Sequence, residues 1–219
     1  APGTYIITVT NDYNSDTASI AVPVVDSDQV SLTADITPSI TFDIDTGTSQ
    51  GADNGPSYSV SLGALASGTL TTSDQSTINS IFIDLDTNAS TGAIVTVIGS
   101  NTGLYSTATN TTITLGSNEE TIALGEQEIG LCVESVTQTT GTLAAGSQYD
   151  ADAAACNASN TGSQKVGKIL TTATPIFNSS SAPIEAGRGE VLIKASITSS
   201  TPAANDYSNT LTFIATGSY

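Results

Sequence analysis

The sequence has 219 residues, with Lys+Arg 4 against Asp+Glu 21, no His, no Trp, no Met and a formal net charge of -17. That balance repels nucleic acid and anionic membrane, and the lack of His removes Ser-His-Asp and Cys-His machinery along with His-based metal centres. No apolar run reaches the roughly 18 residues of a membrane-spanning helix, so neither nucleic-acid binding nor membrane insertion is expected, and no enzyme chemistry is assigned.

At the start, Tyr5, Ile7 and Val9 alternate with Ile6, Thr8 and Thr10, and the run ends in the polar turn Asn11-Asp12-Tyr13-Asn14-Ser15-Asp16. Ala18, Ile20, Val22 and Val24 form a second alternating face. Period-two alternation marks a strand with one covered face. Residues 1–28 are read as an N-terminal extension and residues 29–219 as one β-sandwich domain. A third run sets Val30, Leu32, Ala34 and Ile36 against Ser31, Thr33 and Asp35. A fourth sets Ile40, Phe42 and Ile44 against Thr41, Asp43 and Asp45, and Tyr58, Val60 and Leu62 repeat the pattern after a loop rich in Gly and Asn.

In the middle, Ile81, Ile83 and Leu85 are expected on one face and Phe82, Asp84 and Asp86 on the other, while Ala93 to Ile98 reads as a more fully buried strand. Ile113 and Leu115, Ile122 and Leu124, and Ile129 to Val136 continue the series. Tyr149 to Asn160 breaks it, and Asp150 or Asp152 would cap a helical turn through Ala153, Ala154 and Ala155. Val166 to Thr172, Val191 to Ile197 and Leu211 to Ala215 return to strands. Short strands separated by turn chemistry, with no long helix, imply an all-β fold. The expected form is an antiparallel β-sandwich, Ig-like or jelly-roll-like, with an N-terminal strand extension and a small insertion.

Cys132 and Cys156 are the only cysteines, and without His they lack partners for a metal site, so a disulfide pinning the insertion is expected. Closing a loop of about 25 residues is worth about 3 kcal/mol in the chain-entropy model. With no Met in the sequence, Ala1 reads as a processed end. Removal of an N-terminal signal and an extracellular or cell-surface location are therefore expected.

Asp206-Tyr207-Ser208-Asn209-Thr210-Leu211-Thr212-Phe213 resembles the final strand of secreted pilin-like and surface-layer sandwiches. The stretch Val30-Ser31-Leu32-Thr33-Ala34-Asp35-Ile36-Thr37-Pro38-Ser39-Ile40-Thr41-Phe42 resembles the opening of such domains. In the filament-forming members, an N-terminal strand enters the incomplete sheet of the neighbouring subunit. The resemblance implies copies of the same chain as partners and makes Thr4 to Thr10 the candidate donor strand, with Tyr5, Ile7 and Val9 filling the neighbour's groove. Ala18 to Val24 is the alternative, weakened by Pro23, which removes a ladder hydrogen bond. The cysteines lie far from the start and the middle is long, which favours self-assembling threads or a lattice over chaperone-assembled pili.

Two phrases, Asp43-Ile44-Asp45-Thr46 and Asp84-Leu85-Asp86-Thr87, each place two carboxylates on one strand face. A hard cation such as calcium would relieve their repulsion, with Asp53 and Asn54 joining the first pair; the plainer reading is a solvated acidic face. Asp26 with Asp28 and Asp150 with Asp152 share the spacing. Asn88, Asn110, Asn157 and Asn178 open N-glycosylation acceptor patterns. Glu119 with Glu120 and Glu126 with Glu128 are the carboxylate pairs nearest to glycosidase chemistry, but no aromatic cleft accompanies them. An adhesin with a glycan ligand is the alternative function, using Tyr13, Tyr58, Tyr105 and Tyr149 as ring platforms. Lys165, Lys168 and Lys194 are the lysines open to an isopeptide crosslink.

Overall fold

The computed structural model describes residues 2–25, 30–75, 77–149, 156 and 165–219. Packing divides the chain into Ala1–Thr37 and Pro38–Tyr219. Residues 30–37, assigned to the sandwich on sequence grounds, thus belong to the first unit.

The first unit holds one antiparallel hairpin, β1 (Gly3–Thr10) with β2 (Thr17–Val24). Its turn is built by Asn11, whose backbone N–H donates to the carbonyl of Asp16 at 2.8 Å and whose side-chain oxygen accepts from the N–H of Tyr13 at 3.0 Å. Tyr5 faces Val22, Ile7 faces Ile20 and Val9 faces Ala18, so these apolar residues share one side, while Ile6 and Ala21 pair on the other. That side stays open, with Tyr5 47%, Ile7 53% and Val9 67% exposed. The donor candidate from sequence is therefore one arm of a hairpin, because β2 offers a complementary alternation one tight turn away. Residues 30–37 form no strand; Val30, Leu32 and Ile36 are 84%, 90% and 86% exposed.

The second unit contains β3 (Ile40–Gly47), β4 (Leu70–Thr72), β5 (Ser80–Thr87), β6 (Ala93–Gly99), β7 (Leu104–Ser106), β8 (Thr111–Ile113) and β9 (Glu119–Thr121). It continues with β10 (Glu128–Thr137), β11 (Ala144–Ala145), β12 (Lys165–Gly167), β13 (Thr174–Asn178), β14 (Ile184–Ser196) and β15 (Leu211–Gly217). The larger sheet runs β3-β5-β14-β10-β12-β9, with β4 also on β14; the smaller runs β11-β13-β6-β15, and β7 pairs with β8. Every ladder between these strands is antiparallel. The all-β antiparallel class and a sandwich-like arrangement are as expected, with no helix among the described residues.

The main core joins Ile81, Ile83 and Leu85 of β5, Leu131 and Val133 of β10 and Val191 of β14 to Val95 and Val97 of β6 and Ile176 and Phe177 of β13. Strand β14 lies between β5 and β10 and packs mostly buried residues on both faces. Gly189 is fixed there, because an added Cβ would come within 2.2 Å of the Phe177 ring. A second cluster of Leu115, Ile122, Val166 and Leu192 surrounds the disulfide Cys132–Cys156, whose Cα atoms are 5.7 Å apart. The expected helical turn around Ala153 lies outside the described residues, as do the pairs Asp26 with Asp28 and Asp150 with Asp152.

Three strand expectations change. Ala93 to Ile98 is not buried on both faces: β6 alternates, leaving Ile94 exposed on the outer side of a sheet covered on one face. Of Val166 to Thr172, only the beginning joins a ladder. Tyr58 to Leu62 keeps its in–out alternation yet pairs with no strand.

Candidate assembly groove and acidic face

A groove of about 840 Å³ opens in the second unit. Its apolar lining includes Ile81, Ile129 and Ile193 from the larger sheet, Leu211 and Phe213 from β15, and Val60 from the segment 58–65. Strand β15 pairs with β6 along its whole length, Leu211↔Gly99 to Gly217↔Ala93, and among the described residues has no strand on its other edge. Across the groove, residues 58–65 have no backbone hydrogen bond among the described residues, although Tyr58, Val60 and Leu62 are half-buried and Ser59 and Ser61 face out. Both walls thus carry backbone donors and acceptors without strand partners beside apolar side chains, a template on which another strand can pair.

The polar residues of the closing phrase build the strip that leads into β15. The amide nitrogen of Asn209 donates to the carbonyls of Asn101 and Gly103 at 2.8 and 2.7 Å. Asp206 accepts from the Thr107 hydroxyl at 2.8 Å and the Ala108 N–H at 2.9 Å. Hydrogen bonds from Ser106, Ala108 and Thr107 hold the Asp206 carboxyl down at about 2. Tyr207 donates its hydroxyl to the carbonyl of Pro202 at 2.9 Å.

The two Asp phrases meet on one sheet face, since β3 pairs with β5 so that Asp43 stands opposite Asp84. They do not act as one quartet. Asp84 is bound by Arg188, which also reaches buried Asp45 at 3.3 Å and donates to the carbonyl of Ala52 at 2.6 Å. The Arg188 guanidinium lies 4.7 Å from the centre of the buried Phe82 ring. Asp86 instead accepts the N–H of Ala186 at 2.5 Å. Burial raises Asp84 above the usual carboxylate range, Arg188 opposes this, and Asp45 and Asp43 add to it.

Asp43, Asp45 and Asp53 converge, with a carboxylate oxygen from each lying within 4.8 Å of the others. Asn54 organises this loop by donating its N–H to Asp45 at 2.7 Å and its side-chain amide to the Thr46 carbonyl at 2.5 Å. Burial, followed by Asp43 and Asp45, raises the Tyr58 phenol. Three oxygens of this kind suit a hard cation such as calcium, although the Asp45 carboxylate is already shared by Arg188 and Asn54. Sequence reasoning missed Arg188. Its signal was its standing as the single arginine, set between Gly187 and Gly189.

The same outer face carries buried Glu190, which accepts from the side-chain amides of Gln50 at 2.6 Å and Gln75 at 2.5 Å. Lys194 is buried nearby in sequence on β14; burial lowers it to about 8, against the opposing pull of Glu134. Lys165 lies 3.8 Å from Glu119. Glu120 caps the turn at Gly116 and Ser117, and Glu128 accepts the N–H of Ala123 at 3.1 Å.

Among the glycan-platform tyrosines, Tyr13 is fully exposed on the hairpin turn, while Tyr58 and Tyr105 are half-buried. Tyr149 cannot present a ring face because it is buried in the main core, its hydroxyl donating to the carbonyl of Lys168 at 3.2 Å. Asn88 and Asn110 lie on exposed turns, Asn178 is half-buried at the end of β13, and Asn157 lies outside the described residues. No helix among the described residues is long and apolar enough to cross a membrane. Comparison with protein-family models, with curated proteins and with solved structures finds no match.

Proposed function

We propose that this chain is a structural subunit of an extracellular filament or surface lattice, polymerised by insertion of an N-terminal β-strand into the neighbouring subunit. One complementarity supports the reading. The first unit displays alternating apolar residues in water, and the second has an apolar groove whose two walls lack strand partners. A strand in that groove gains main-chain hydrogen bonds along its length, and its alternate side chains set the register. The contact is head-to-tail and need not close on itself, so it can propagate into a fibre. The disulfide and the hydroxyl-rich surface suit an oxidising exterior.

The test compares the full chain with one beginning at Pro38 by negative-stain microscopy and light scattering. The full chain is expected to give polymers with a regular repeat, and the shortened chain folded monomers. Polymers of the same repeat from the shortened chain would rule out N-terminal insertion.

A further inference from the structure

We propose that the inserted strand is residues 30–37, and that it enters the groove between β15 and residues 58–65 of a second copy; this rests on the polymerisation reading above. Strand β1 is the weaker candidate, because all eight of its residues pair with β2 and insertion would first break that ladder. Residues 30–36 carry no regular secondary structure and make no strand pairing. Once extended as a strand, Val30, Leu32, Ala34 and Ile36 fall on one side, and Ser31, Thr33 and Asp35 on the other.

The groove walls have the same parity. Leu211, Phe213 and Ala215 point inward from β15 with Thr212, Ile214 and Thr216 outward, and Val60 and Leu62 point inward between Ser59 and Ser61. A strand with aliphatics inward and hydroxyls outward continues both walls and offers each a ladder. Size agrees as well. An extended segment of about eight residues has on the order of 1,200 Å² of accessible surface. Burying most of it, with a matching area of the groove, reaches the roughly 1,600 Å² of a standard stable interface. Asp35 is the only charge in the segment, and it falls on the outward side, so insertion buries no unpaired carboxylate.

The test uses full-length chains carrying Leu32→Asp or Ile7→Asp, examined by microscopy and size-exclusion chromatography, because both positions are exposed and the substitutions leave the sandwich core untouched. Leu32→Asp is expected to abolish polymers, and Ile7→Asp to leave them. A labelled peptide of residues 30–37 is then titrated into the full-length Leu32→Asp chain, whose groove is intact. The native peptide is expected to bind at least about tenfold more tightly than the same peptide carrying Leu32→Asp, since a buried carboxylate disfavours insertion. Polymers that persist in Leu32→Asp, or equal binding of the two peptides, overturn the assignment. Selective peptide binding by a wild-type chain that never polymerises would keep the groove assignment and overturn the polymerisation reading alone.

Discussion

Arg188 shows how one cation orders an acidic surface. It serves Asp84, Asp45 and the Ala52 carbonyl at once, and Asp45 is 1% exposed. Replacing Arg188 with Met should cost about 3 kcal/mol in chemical denaturation, because it leaves a buried carboxylate without its counter-charge. The exposed Lys165–Glu119 pair is the contrast: Lys165→Met should change stability by less than about 1 kcal/mol. Burial also gives the fold an alkaline signature. Lys194 falls from 10.5 to about 8, so between those values the unfolded chain binds more protons and stability rises with pH. Burial raises Tyr149 from 10.0 to about 12, so above pH 10 the folded state holds its proton longer and stability falls. A melting profile should therefore climb from pH 8 toward 10 and drop beyond it, and Lys194→Met should remove the climb. A wild-type profile that declines steadily from pH 8 would contradict this assignment.

Among the strands, period-two patterning identified the sides of β5 correctly, because a one-residue slip would have turned Ile81, Ile83 and Leu85 outward. The cysteine count placed the disulfide, since two cysteines allow one pairing. Alternation alone could not show whether a strand has a partner. Residues 30–36 and 58–62 carry the same pattern as β5, yet pair with no strand. Pairing depends on which edges the rest of the fold leaves free, a long-range property absent from any local window. The place of Arg188 on the acidic face was missed for a related reason. The Asp43–Asp84 register follows from the β3–β5 ladder, but Arg188 arrives from β14, far along the sequence. Phe82, read as an outward residue, is fully buried, with the Arg188 guanidinium over its ring.

For the chain as a whole, the net charge of -17 makes copies repel one another, and screening confines that repulsion to about 8 Å at physiological salt. The proposed association would then have to come from short-range terms, which a main-chain ladder over an apolar groove would supply and a charged surface would not. Unpaired strands invite indiscriminate aggregation; under the proposed assembly, a groove that accepts one alternating segment in one register would turn that hazard into ordered growth. The decisive measurement is a cryo-electron-microscopy map of the assembled material at a resolution that traces the main chain. It should show a strand lying between β15 and residues 58–65 of each subunit and connecting to residue 38 of the next. A groove left empty in the polymer, or filled by the subunit's own residues 30–37, would contradict strand insertion between copies.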